Sequence, residues 1–123
     1  TLAELRGAGP VLLYFWATWC WKCKRELPAL NRVAAELGPR GLVVLGINVG
    51  VNDSLTRVRA YRDRHGIAFP LAFDRGGRVS RSFGVWGVPT FMLVDREGVV
   101  RFRRSLLPEN LGAYLAPEAG PSD

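Results

Sequence analysis

Soft metal ligands are scarce in this chain of 123 residues, which holds two cysteines, one methionine and a single histidine. A structural zinc takes four ligands, usually Cys or His, and Cys20, Cys23 and His65 cannot complete that set, so no metal is expected. His65 stands directly before Gly66, a placement that suits the last turn of a helix, where a cation meets the favourable end of the dipole. Long apolar runs are missing as well. The longest, Val11 to Ala17, falls far short of the roughly 20 residues that a membrane-spanning helix needs. The chain opens at Thr1 with no basic leader and no signal-type apolar stretch, so a targeting segment or membrane tether is expected only outside this sequence.

Lysine is almost absent too: all but two of the 17 basic residues are arginine, and against 11 acids they leave a net charge of +6. That balance raises the question of nucleic acid, but the arginines are scattered through every segment and no basic and aromatic stripe accompanies them, so no nucleic-acid partner is expected. The tightest group, Arg101, Arg103 and Arg104, straddles alternating Val100 and Phe102, as on a strand with one wet face. It reads as a solvated basic surface, the other reading being a patch that steers an acidic partner.

What the chain does have is material for a core. At 48% hydrophobic, with no repeats or linkers, residues 1–123 are expected to form one monomeric domain without disulfide staples, with a frayed Pro/Gly/Ser tail at about 117–123. Val11 to Ala17 is a continuous apolar run bounded by Gly9-Pro10 and Thr18, which suits a strand buried on both faces. Leu27, Leu30, Val33, Ala34 and Leu37 then recur at helical spacing until Gly38-Pro39. Leu42 to Asn48 is a second buried strand, and the strand-helix-strand unit implies a parallel pair and an α/β fold. A surface helix from Leu55 to Gly66, an extended piece from Phe69 to Phe73, and about two helical turns from Arg78 to Phe83 follow. Thr90 to Val94 and Val99 to Arg103 flank Asp95-Arg96-Glu97-Gly98 and read as an antiparallel hairpin. An amphipathic helix is expected from Pro108 to Leu115.

The chemistry follows from where the cysteines fall. A structural disulfide usually closes a longer loop, so the spacing of Cys20 and Cys23 suits switching better than stapling. Cys20 sits where a buried strand ends and a helix begins, and the unpaired N–H groups and positive dipole end there favour its thiolate. Cys23 lies one turn deeper, within reach of Cys20 and shielded while Cys20 stays open. Cys20 therefore reads as the nucleophile and Cys23 as the resolving thiol. Trp16 reads as packing. Trp19 and Trp21 read as packing or as partner contact, Trp86 as core or rim, and Pro28 as a structural kink in the helix. Two readings stand for Lys22, a solvated cation or one that lowers a thiol pKa. Glu26, one turn beyond Cys23, is either a solvated helix acid or an aid to proton transfer.

Phe15 to Cys23 resembles the thioredoxin active-site segment, and its continuation through Glu26 and Pro28 is similar to the W-C-x-x-C-x-x-E-x-P signature of TlpA/ResA-like thiol-disulfide oxidoreductases. Leu5-Arg6-Gly7, Ile47-Asn48-Val49-Gly50, Phe83-Gly84-Val85 and Gly87-Val88-Pro89-Thr90 extend the likeness over nearly the whole chain. The resemblance implies a thioredoxin fold, a central mixed sheet flanked by helices on both faces. It also implies that Pro89 is a cis-proline facing the disulfide and that the Val88 backbone pairs with an extended substrate. From spacing alone, Pro89 would be an ordinary strand-entry proline. Two carboxylates of the resembling families are absent: Tyr14 stands where thioredoxins carry a buried acid, and Val51, followed by Asn52 and Asp53, where ResA-like proteins carry a glutamate.

The expected function is reduction or exchange of disulfides in partner proteins without a cofactor, outside the cytoplasm, where TlpA/ResA-like proteins work. Its partners would be disulfide-containing or dithiol proteins, an upstream electron donor among them, with Trp19, Trp21, Lys22, Val88 and Pro89 at the contact surface. The alternative is a redox-sensing or redox-inactive module that binds a partner in the same groove. A peroxide-reducing enzyme of related fold would set its cysteine in Thr-x-x-Cys, and a copper chaperone would want wider cysteine spacing and a distant His.

Overall fold

The run Val11–Trp16 forms strand β1, and every one of its residues is fully buried. A strand with no exposed position has both faces covered, so β1 lies at the centre of a layered structure. The structure, a computed structural model, describes residues 9–115. The Leu5-Arg6-Gly7 match and the tail at 117–123 lie outside the described residues.

Helix α1 spans Trp21–Leu37 and runs unbroken through Pro28, burying Cys23, Leu27 and Leu30. Strand β2, Val43–Asn48, pairs in parallel with β1, and β3, Leu71–Phe73, pairs in parallel with β2. Between them α2 spans Leu55–His65, capped by the Ser54 hydroxyl at one end and by Gly66 at φ 60° at the other. A short helix α3, Arg78–Ser82, precedes the antiparallel hairpin of β4, Thr90–Val94, and β5, Val100–Arg104. The five strands form one mixed sheet in the order β3-β2-β1-β4-β5, the thioredoxin-type arrangement.

Local chemistry explains the turns. The Asp95 carboxylate accepts the N–H groups of Glu97 and Val99 and so closes the hairpin. The buried Asp74 carboxylate accepts Val79 N–H, Ser80 N–H and the Ser80 hydroxyl, which satisfies the start of α3. Gly50 packs so tightly that a Cβ there would lie 1.8 Å from the Asp74 carbonyl oxygen, and its φ of 72° excludes most side chains as well.

One expectation needs correction. Pro108 to Leu115 does not form a helix; only Leu111–Tyr114 makes a short 3₁₀ turn. Gly112 weakens helix formation there, and the Arg40 guanidinium packs against it, 3.1 Å from where a Cβ would stand. His65 lies in the last turn of α2, where it was expected. Burial, with Lys24 and Arg64 adding to it, holds its imidazole below the ordinary histidine value, and the ring packs 4.2 Å from that of Tyr61. No helix among the described residues is long and apolar enough to cross a membrane.

Candidate functional site

β1 delivers the chain to a tight turn closed by Cys20 N–H donating to the Ala17 carbonyl, 3.2 Å. Cys20 is the N-cap of α1: its extended backbone (φ −92°, ψ 105°) ends the turn, and its Sγ accepts the Cys23 N–H at 3.1 Å. No acidic residue lies in the first turn of α1, so nothing offsets the positive end of the dipole at Cys20. Cys20 and Cys23 are joined as a disulfide with Cα atoms 5.3 Å apart. Cys20 keeps 7% of its surface exposed and Cys23 none. An outside sulfur can therefore meet the first and not the second.

The expected contact residues differ in exposure and in what holds them. Trp19 and Trp21 are 53% and 62% exposed, whereas Trp16 is wholly buried as packing. The Trp19 indole donates to the Val51 carbonyl at 2.9 Å. Lys22 and Arg25 place their cations 5.9 and 5.3 Å from the Trp21 ring centroid. The Val88–Pro89 peptide is cis, and Val88, Pro89 and Thr90 share a groove of about 380 Å³ with Lys22, Arg25 and Glu26 of α1. The loop before β4 is thereby brought against the helix that carries the cysteines. Trp86 resolves to the rim, 82% exposed.

The two carboxylate positions resolve differently. Tyr14 is fully buried and its hydroxyl donates to the Cys23 carbonyl at 3.0 Å. Burial, and then the proximity of Tyr61 and Glu26, push its phenol far above the ordinary tyrosine range, so it is neutral and holds the start of α1 to the sheet. Asp53 supplies a carboxylate displaced two residues from Val51, and it faces the active-site turn. It accepts Thr18 N–H (2.8 Å), Thr18 Oγ1 (2.8 Å), Asn48 Nδ2 (2.9 Å) and Ser54 N–H (3.1 Å), with Arg57 at 3.4 Å. Burial opposes its ionisation, but the hydrogen bonds from Thr18, Asn48 and Ser54 outweigh this and hold it below the ordinary aspartate value.

Sequence reasoning missed two of these anchors. Asp53 was visible only as a displaced acid, and Asn48, which is fully buried and bonds both Asp53 and Gly50 N–H, only as part of a motif. Arg103 was read as part of a solvated surface. Its guanidinium instead donates to the Phe83 carbonyl (2.6 Å) and the Gly84 carbonyl (2.8 Å), fixing the loop that leads to Trp86 and Val88. A lone arginine among fifteen carries no signal for such a contact.

Comparison with known proteins agrees with this geometry. The AhpC/TSA family model matches residues 1–103. Thiol-disulfide oxidoreductase ResA of Geobacillus thermodenitrificans is 37% identical over 100 residues, 81% of this chain and 56% of that protein. Thioredoxin-like protein YneN of Bacillus subtilis is 35% identical over 102 residues, 82% of this chain and 58% of that protein. The chain thus spans little more than half the length of these relatives. A solved structure from Chlorobium tepidum, assigned as a thiol:disulfide interchange protein DsbE, is 30% identical and superposes with a TM-score of 0.81 over 92% of this chain and 81% of that one. With sheet order, cysteine placement and sequence all in agreement, the chain belongs to the AhpC/TSA family of thioredoxin-fold proteins, on its ResA-like side.

Proposed function

We infer that residues 1–123 are one thioredoxin-like domain that reduces or exchanges disulfides in partner proteins through the Cys20/Cys23 couple. The observation that carries this reading is the unequal burial of the pair at the start of α1: one sulfur reaches the surface and its partner does not. In the reduced state the Cys20 thiolate attacks one sulfur of a substrate disulfide. A Cys20–substrate disulfide forms and the other substrate sulfur leaves as a thiolate. Cys23, deprotonated, then attacks the Cys20 sulfur; the Cys20–Cys23 disulfide forms and the second substrate thiolate leaves. The substrate has gained two electrons and two protons, and the cysteine pair has lost them. A dithiol protein upstream restores the pair by the same two exchanges in reverse. Trp19, Trp21, Lys22, Val88 and Pro89 form the contact surface, with the Val88 backbone pairing with an extended substrate. Cys23 sits in the interior, so the second step draws on the high effective concentration of a positioned pair.

The resemblance to ResA and DsbE proteins supports work outside the cytoplasm on disulfide-bearing proteins. A redox-inactive binding module is not favoured, because the two sulfurs are bonded and differently exposed. A peroxide-reducing Thr-x-x-Cys setting would need threonine where this chain has Ala17. Insulin reduction in the presence of a dithiol donor tests the reading. The parent should precipitate insulin B chain well above the background of the donor alone and Cys20→Ala should not; a parent no faster than background would overturn it.

A further inference from the structure

Val88 is a ridge between two grooves of unlike chemistry. On one side Trp19, Val49, Val51, Val85 and Trp86 line a recess of about 220 Å³ that is apolar almost throughout. On the other, Lys22, Arg25, Glu26 and Ser105 line the wider groove, where two cations face one carboxylate. Both grooves reach Gly87 and Val88.

The Trp19 ring and the backbone that leads to Trp86 are held in place. Trp19 is fixed by its hydrogen bond to Val51, and the loop leading to Trp86 is anchored through Phe83 and Gly84 by the Arg103 fork. Large rings already ordered before a partner arrives lose little freedom on contact, and exposed aromatics rimming an apolar recess mark an interaction surface. The cations of the other groove are likewise gathered, both over the Trp21 ring. With a chain charge of +6, the complementary group there is a carboxylate. An extended segment drawn along Val88 points successive side chains to opposite sides, one toward each groove.

We propose that this domain selects extended segments in which a large apolar or aromatic side chain and a carboxylate stand next to each other beside the attacked cysteine, the first seated against Trp19 and Trp86, the second against Lys22 and Arg25. The selection rests on the disulfide-exchange reading above and adds a substrate class to it. Spacing is part of the proposal: two side chains separated by one residue point to the same side and cannot fill both grooves.

Four synthetic peptides test it, each with one cysteine joined as a disulfide to 2-nitro-5-thiobenzoate, whose release is coloured. They carry Cys-Phe-Glu, Cys-Phe-Gln, Cys-Ala-Glu and Cys-Phe-Gly-Glu. Single-turnover rates with the reduced protein at low salt should be highest for Cys-Phe-Glu. Replacing Phe by Ala should cost about tenfold. Replacing Glu by Gln, or inserting Gly, should cost about threefold, a difference that shrinks at high salt. In Lys22→Glu/Arg25→Glu the order of the Glu and Gln peptides should reverse, and in Trp86→Ala the ratio of the Phe to the Ala peptide should fall toward one. Equal rates for all four peptides in the parent, with release still dependent on Cys20, would overturn the selection and leave disulfide exchange standing. No release from any peptide together with no insulin reduction would overturn both.

Discussion

The Tyr14 hydroxyl donates to the backbone carbonyl of Cys23 at 3.0 Å, tying the central strand to the first turn of the helix that carries the cysteines. A neutral phenol in this place can orient that turn but cannot take a proton from the Cys23 thiol, because its own proton is held far above neutrality by burial. The resolving step therefore has no buried base at this position, and the nearest carboxylate along the helix is Glu26, half-buried at the edge of the Val88–Pro89 groove.

Resolution of the mixed disulfide should accordingly be slow at neutral pH and rise steadily as pH increases, following the thiol itself. Stopped-flow decay of a preformed Cys20 mixed disulfide should be faster in Tyr14→Asp and little changed in Glu26→Gln. Loss of about tenfold in Glu26→Gln would make Glu26 the working base instead. Tyr14→Phe separates orientation from proton transfer: it should cost about 1 kcal/mol in urea unfolding, the net worth of one buried hydrogen bond, with the pH profile unmoved.

The order of attack has its own test. Cys23→Ala keeps the exposed sulfur and lacks the resolving one, so it should accumulate mixed disulfides with protein partners, whereas Cys20→Ala should capture few or none. In the reduced parent at neutral pH, iodoacetamide should modify Cys20 first, since Cys23 is fully buried. Equal capture by the two variants would contradict the assigned order.

The same contrast between near and distant partners decides how much of the molecule was legible in the sequence. Val11 to Trp16, the helix after Cys20 and the Asp95 hairpin are written in runs and turn residues a few positions apart, and all three formed where the pattern put them. The cysteine pair needs only its own spacing and the strand-helix junction around it. Asp53 and Arg103 act on residues 35 and about 20 positions away, and no local pattern encodes such a pairing. Trp86 could not be divided between core and rim because that depends on how the loop before β4 lies against α1. The helix expected at Pro108 to Leu115 had apolar spacing in its favour, but Gly112 and the Arg40 contact stand against it.

Arg103 gives a further measurable consequence. Its fork bonds two consecutive carbonyls at the end of α3, a geometry that lysine cannot reproduce. Arg103→Ala and Arg103→Lys should both lose about 1–2 kcal/mol in urea unfolding. Both should raise the KM for peptide disulfides by about threefold while leaving kcat within twofold, since the loop bearing Trp86 and Val88 loosens and the cysteines do not move. A Lys variant indistinguishable from the parent would show that charge alone suffices there.

Asp53 carries the pH dependence of the active-site turn. Its side chain has no exposed surface, and its carboxylate gathers four donors from Thr18, Asn48 and Ser54, so it ties the turn before Cys20 to the end of β2 and the start of α2. Its folded pKa lies below the ordinary value of 3.8. Between the folded and unfolded pKa values the unfolded chain binds more protons, so stability rises with pH across that interval. The contribution is fully present above the unfolded value and is lost as pH falls through the folded one. Urea midpoints measured from pH 7 down to pH 2.5 should therefore fall below about pH 4 in the parent. Asp53→Asn keeps an acceptor but gives up the charge. It should start about 1–2 kcal/mol lower at pH 7 and show a visibly flatter acid limb. Arg57 ends in solvent and contributes little to this limb, so Arg57→Ala should retain the parent's slope. An acid limb unchanged in Asp53→Asn would move the titration to another carboxylate and leave Asp53 only a shape-filling role.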